Sequence, residues 1–354
     1  MTLLFLLLIL FNSCTDKFDV SIFNNVEGNP NLGGDTVYVR LNPAWEGFNN
    51  PQDIYIGKEP FIYIADTDND RIVMMNLNGQ ILGERIISKP IAIAQDYELN
   101  LIVCARFDTS ISGQSISLSA VYKLDLFSAS HQIENAALKR VLPRQSDFNT
   151  PQRQYTGVAA FHDNSFHVAR TGPNNSNLID PDNSILIFRK KILQNGTKTD
   201  TLIGRVPLLD PVTTGLMSAN QITSINPFQI RDFDIILTLG GNNNFKVQIL
   251  DYIVSQEYTG YQNKLSPSNT DIMHANRFTE PRGSAIDNSG NIFIADAGKD
   301  SIYKFNSFGD ELQSFGGAPL LNQPHAVAFF DRTLYVLDTG SNRILRFILS
   351  TDLQ

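Results

Sequence analysis

Two stretches near the C-terminus repeat one another at a spacing that leaves few folds open. Residues 281–305 and 324–347 each open on a proline and carry an alternating apolar strand, a turn, a second strand ending in Asp, a polar turn and a third strand. Pro281 and Pro324 stand 43 residues apart, a period found in propeller blades and solenoids. The apolar runs alternate at period two and are broken by Asp, Asn and Gly, the pattern of hairpin-linked strands. A third copy begins at Pro51, and 61–76 carries its second and third strands. The chain from residue 35 onward therefore reads as successive blades, some of them eroded.

Blade one takes its strands from 52–56, 61–65, 71–76 and 80–87, with the first innermost. Blade two takes 91–94, 101–105, 120–126 and 138–142, with a Ser-rich loop over 108–119. Blade three takes 156–160, 165–169, 184–189 and 202–207, and its Asn/Asp/Pro-rich stretch 171–183 reads as a surface loop. Blade four is the most eroded, with strands at 221–225, 234–239, 245–250 and 254–258 and a hairpin turn at 240–244. Blades five and six are the clear copies, and 311–315 closes blade five. Blade six runs out after three strands, while 37–42 at the other end of the chain has no partner. Joined, the two leave no sheet edge between first and last blades. The expectation is an all-β, six-bladed β-propeller closed by its N-terminal strand, with seven blades as the alternative count.

The segments Ala65-Asp66-Thr67 with Asn69-Asp70-Arg71-Ile72, and Leu337-Asp338-Thr339 with Asn342-Arg343-Ile344, resemble the NHL repeat. That resemblance covers the chain after Asp35, strongly in blades one, five and six and weakly in blade four. It implies a six-bladed propeller and no single function, since this fold hosts lyases, lactonases and pure binding modules.

Composition narrows the partners. A formal net charge of −8, with 28 Lys+Arg against 36 Asp+Glu and no basic run, excludes nucleic acid, which needs a clustered positive surface. Residues 3–11 are apolar throughout, too short to span a bilayer and suited to the core of a signal peptide. They lead into Leu10-Phe11-Asn12-Ser13-Cys14, which resembles a bacterial lipobox although Met1-Thr2 brings no positive charge. The reading is a lipoprotein signal peptide over 1–14 lipidated at Cys14, a flexible tether over 15–34 and the propeller over 35–354. An ordinary signal peptide or a buried N-terminal strand is the alternative. The lipid would hold the exported protein on the bacterial cell envelope, on the periplasmic side or the cell surface, as its only membrane contact. Cys104 lies in an apolar strand with no second cysteine to pair with, and reads as a small buried hydrophobe.

The repeated Asp66, Asp296 and Asp338 read as turn formers, because Asp bonds nearby backbone amides. At the equivalent positions blades two and three carry Arg106 and Arg170. Facing one mouth, these two would clamp a carboxylate or phosphate; pairing with Asp108 or Asp180 would make them structural. Gln52, Asp53, Thr156, Arg282 and His325 stand at the starts of innermost strands, where a propeller holds its ligand. His325 matches a position at which the related peptidylglycine amidating lyases place a zinc-ligating histidine, but the corresponding Gln52, Ile91 and Arg282 are not zinc ligands. No catalytic residue and no metal ligand is assigned. No cofactor is expected, with calcium left open by Asp53, Asp232 and Asp287 near the inner strands. The function expected is a non-catalytic binding or scaffold propeller that recognises a protein, peptide or glycan through its loops and channel mouth. The alternative is a metal-dependent lyase or lactonase-type hydrolase working in the central channel around Asp53, Arg282 and His325.

Overall fold

The computed structural model describes residues 37–111, 113–228 and 231–352. The expectations placed on 1–36, namely the signal peptide, the lipidated Cys14 and the tether, lie outside the described residues. The chain enters through β1 (Tyr38–Trp45) and then builds blade one from β2 (Pro51–Ile56), β3 (Ile62–Asp66), β4 (Arg71–Met75) and β5 (Ile81–Ile86). Blade two is β6 (Ala92–Gln95), β7 (Asn100–Ile111), β8 (Gln114–Asp125) and β9 (Ala137–Leu142), and blade three is β10 (Gln154–Ala160), β11 (Phe166–Thr171), β12 (Ser184–Ile192) and β13 (Lys198–Arg205). Blade four is β14 (Ile222–Pro227), β15 (Ile235–Leu239), β16 (Val247–Val254) and β17 (Thr259–Asn263). Blade five is β18 (Pro281–Ile286), β19 (Ile292–Asp296), β20 (Ser301–Phe305) and β21 (Glu311–Gly316). Blade six is β22 (Pro324–Phe330), β23 (Thr333–Asp338) and β24 (Arg343–Leu349), with β1 pairing antiparallel to β24 as its fourth strand. The six-bladed propeller and its N-terminal closure are thus as the repeat arithmetic requires.

Every sheet is a simple meander. Inner-strand starts and second-to-third-strand turns therefore share one face, here the upper. First-to-second and third-to-fourth turns share the lower. Each space between blades holds its own apolar cluster, as between blades one and two, where Tyr63, Ala65 and Ile72 meet Leu101, Val103 and Leu124.

The repeated motif proves to be a pair of staples. Asp66, Asp296 and Asp338 are fully buried and each accepts from the chain that leads into its own blade: Asn49 N at 2.7 Å, Glu280 N at 2.6 Å and Asn322 N at 2.6 Å. The residue ending each turn, Asp70, Asp300 or Asn342, sits at φ 53, 49 or 54°, a left-handed conformation that Asn and Asp tolerate best after glycine. Its side chain reaches the next blade, accepting from Lys89 N at 2.9 Å, Gln323 N at 2.7 Å and Asn50 N at 2.6 Å respectively. Thr67 and Thr339 add hydroxyl bonds to the carbonyls of Pro90 and Pro51, at 2.6 and 2.7 Å. Turn and blade junction are therefore one device, which is why it recurs where blades are least eroded.

Two expectations fail. The stretch 108–119 is no loop: β7 and β8 extend as one long hairpin, with Phe107 opposite Leu118 and Thr109 opposite Ile116. Its serines alternate with Ile116, Leu118 and Ala120, a strand period that the Ser-rich composition conceals. The outer strand of blade four is not 254–258. Val254 still belongs to β16, the Ser255 N–H donates to Tyr258 O at 2.8 Å to close a tight turn, and the strand follows as β17. Polar Ser255, Gln256 and Glu257 suit that turn.

Candidate functional site at the channel mouth

Five blades carry the same irregularity at the upper end of the innermost strand. The pairing skips one residue in each: Gln52, Thr156, Thr223, Arg282 and His325. An extra residue in one strand bends it and re-aims the side chain, and all five line the central cavity of about 890 Å³. Ile91 takes the place in blade two. A shallower recess of about 300 Å³ adjoins the same mouth, formed by Thr156, Thr171, Gln221, Thr223, Glu280 and Arg282. The structure thus brings together Gln52, Asp53, Thr156, Arg282 and His325, and adds Thr223 of blade four, the most eroded blade, which the sequence did not single out. Asn226 and Ser284 continue the polar wall, and Lys58, Tyr97 and Arg231 border the lower end.

Blade packing fixes these side chains. Thr156 donates to Ile222 O at 2.7 Å and Thr223 to Pro281 O at 2.8 Å, each reaching the next blade. Gly283 allows blades five and six to touch: a Cβ there would stand 2.7 Å from His325 O. The Gln52 amide donates to Asn50 Oδ1 at 2.8 Å, which orients its oxygen toward His325 Nδ1, also at 2.8 Å. Nδ1 therefore carries the ring proton, and Nε2 is left as an acceptor. Burial, reinforced by the Arg282 charge and opposed by Glu280, lowers His325 to about 4, so the ring is neutral at physiological pH. Arg282 is paired with Glu280 through Nη2, while its buried Nε has no partner among the described residues.

Asp53 is held by the wall itself. Oδ1 accepts from Ile54 N at 2.9 Å and Oδ2 from Ile93 N in blade two at 2.7 Å. Burial nevertheless pushes its carboxyl from 3.8 up to about 7, with both amide bonds pulling the other way. A folded-state value above the unfolded one means that the bound proton stabilises the fold. That contribution is complete below about pH 4 and is lost as pH rises through about 7. Asp53→Asn is expected to flatten the decline in thermal midpoint over that range, measured by calorimetry. Identical pH profiles for the two proteins would show that Asp53 is ionised throughout.

Arg106 and Arg170 lie elsewhere. Arg170 is buried beneath the 171–183 loop, donating to Asp180 Oδ1 at 2.6 Å and to the carbonyls of Pro181 and Asp182 at 2.6 and 3.0 Å. Arg106 donates to Gln154 Oε1 and to Ser117 O, each at 2.8 Å. Neither lines the cavity. The acidic loop residues are engaged as well, with Arg153 bonded to Asp180 at 2.8 Å and Asp182 at 2.7 Å. Among the described residues no three His, Cys, Asp or Glu side chains gather as a metal site, and Cys104 is buried and free.

No protein-family model and no curated protein matches the chain. Solved structures do share its fold. A protein of unknown function from Bacteroides thetaiotaomicron aligns at 12% identity with a TM-score of 0.55, over 89% of this chain and 77% of that one. A putative gluconolactonase aligns at 14% identity and TM-score 0.51, covering 90% and 93%. A glucose dehydrogenase aligns at 11% and 0.55, covering 88% and 99%. Identities this low bear on the fold alone, and the different names of these neighbours agree with a scaffold that fixes no single function.

Proposed function

We propose that this protein is a binding propeller that takes an anionic group of a peptide or glycan into the upper mouth of its channel, with no covalent step. The observation that carries the reading is Arg282. It stands on a bulge at the mouth, one third exposed, with Nη2 paired to Glu280 and a buried Nε without a partner among the described residues. The positive charge of Arg282 at the mouth, beside uncharged Gln52, Thr223 and His325, suits a carboxylate that would take the place of Glu280 in a charge-assisted bond. Export and a lipid on Cys14 belong to the same proposal and rest on residues 3–14 of the sequence.

A second reading, a lyase or hydrolase working in the same channel, is favoured by one observation: His325 is neutral, with Nδ1 held by Gln52, the arrangement of a base that accepts a proton at Nε2. Its metal-dependent form finds no ligand set among the described residues. One titration series separates the readings. Peptides ending in a free carboxylate, their C-terminal amides, and uronic-acid and neutral oligosaccharides are titrated calorimetrically against the full chain. Arg282→Gln is expected to weaken binding of the anionic members about tenfold or more, the effect of losing a charged hydrogen bond. Equal affinity for acid and amide, or an unchanged Arg282→Gln variant, refutes the proposed contact. Ligand breakdown that His325→Gln abolishes while binding persists establishes the enzymatic reading instead.

A further inference from the structure

The lower face carries a feature that the channel does not use. In four successive blades the turn between third and fourth strands exposes a large apolar side chain. These are Phe127 in blade two, Ile192 and Leu193 in blade three, Val254 in blade four and Phe308 in blade five, at 70, 68, 41, 72 and 73% exposure. The meander places all four turns on one face. Side chains of this size gain nothing from water, and a run of them around one rim marks a surface that meets something apolar.

Two observations say what it meets. The turn in blade three combines Ile192 and Leu193 with exposed Arg189, Lys191 and Lys198. Lys198 shares Glu98 with Lys190, whereas Arg189 and Lys191 stand outside the ion pairs among the described residues. Apolar tips with basic flanks are the composition of an interfacial lipid contact; the flanks are basic in blade three, while the turns of blades two, four and five carry exposed Glu134, Glu257 and Asp310. The described chain also enters at this face. β1 begins opposite the end of β24, with Ser350 N donating to Val37 O at 2.8 Å. The 36 residues before it include the apolar run 3–11 and Cys14.

We infer that the lower face of the propeller rests on a lipid surface through the apolar tips of these four turns, leaving the mouth with Arg282 and His325 turned away from it. The inference is independent of what the mouth binds, and it extends membrane contact beyond a lipid on Cys14. Blade one exposes Ile81 and Leu82 at the start of its fourth strand instead of at the turn tip. Its equivalent turn residue, Leu77, packs into the cluster around Trp45, so the tips that project form one continuous sector.

The upper face has exposed apolar residues of its own, Leu178 and Ile179 at 87% in the 171–183 loop, with Leu208 and Val212 in the β13–β14 connection and Ile86 at the end of β5. They make the natural control. The test uses the full chain with Cys14→Ser, so that no lipid is attached and the buried Cys104 is the remaining native thiol. A bimane label is placed at Phe308→Cys or at Leu178→Cys. Each protein is mixed with phosphatidylethanolamine–phosphatidylglycerol vesicles whose acyl chains carry a spin-label quencher. The expected result is quenching at position 308 and none at 178, with Phe127→Ser, Ile192→Ser and Val254→Ser each lowering vesicle partition on the order of tenfold. Quenching at 178, equal quenching at both positions, or no vesicle binding overturns the inference. So does a dimer, seen by sedimentation without lipid and dissolved by the same serine changes, because the rim would then belong to a second copy of the chain.

Discussion

Replacing Lys123 with methionine is expected to lower the free energy of unfolding by about 3–5 kcal/mol, the range for breaking a buried ion pair from one side. Lys123 lies on β8 with its side chain 7% exposed, 2.7 Å from Asp96 Oδ2 and 3.3 Å from Asp200 Oδ2. Asp96 belongs to blade two and Asp200 to blade three, so one ammonium ties two blades together. Phe166 covers it from a third side at 5.6 Å. Removing the charge leaves two buried carboxylates facing each other, and that repulsion, more than the lost attraction, sets the size of the effect. Asp200 keeps a second partner in Lys190 at 3.3 Å, so Asp96 bears most of the loss. Adding Asp96→Asn to Lys123→Met should therefore recover part of the stability. Denaturant unfolding followed by circular dichroism measures both. A single-variant cost below about 1 kcal/mol, the size of a solvated pair, would show that water reaches the site.

This network also marks where sequence reading stops. Lys123 sits in Val121-Tyr122-Lys123-Leu124, and a lysine alternating with apolar residues reads as the solvent face of a strand. Its partners lie 27 and 77 residues away, a separation that no local pattern reports. The fold was legible because its determinants are local and repeated. Asp at the end of the second strand and Asp or Asn at the left-handed turn position recur as fixed spacings, and both proved to be junction bonds. The mouth was legible for the same reason wherever a proline marked the inner strand, as at Gln52, Arg282 and His325. Thr156 was legible without a proline because blade three keeps the strand rhythm, and Thr223 escaped because blade four has neither the proline nor a clear rhythm. The 108–119 hairpin escaped because a serine-rich composition suits a loop, although the serines there alternate with Ile116 and Leu118. Lys58, Tyr97 and Arg231, at the lower end of the channel, come from turns outside the repeat, so only the closed ring brings them together.

Trp45→Ala is expected to cost about 3–5 kcal/mol, as for a large buried aromatic truncated to alanine. Trp45 ends β1, the strand that closes the ring, and its indole enters a cluster drawn from both sides of the seam. Ile54, Ile62, Val73 and Met75 come from blade one, and Ala326, Tyr335, Leu337 and Ile344 from blade six. Gly79 makes room for it: at φ +85°, its hypothetical Cβ would stand 2.4 Å from the indole. The Arg346 guanidinium lies 4.4 Å above the ring, a cation–π contact worth less than the burial itself. Because Trp45 is the single tryptophan of the chain, its emission during denaturant unfolding reports the seam, while circular dichroism reports all blades. In the wild-type protein the two transitions should coincide, since a ring open at one seam exposes two blade faces and loses the reason for closing the others. Trp45→Phe keeps a ring in the cluster and should lose less than Trp45→Ala. A cost below about 1 kcal/mol for Trp45→Ala would mean that the seam is held by the β1–β24 backbone ladder. Closure would then depend on hydrogen bonds that any strand of suitable length supplies.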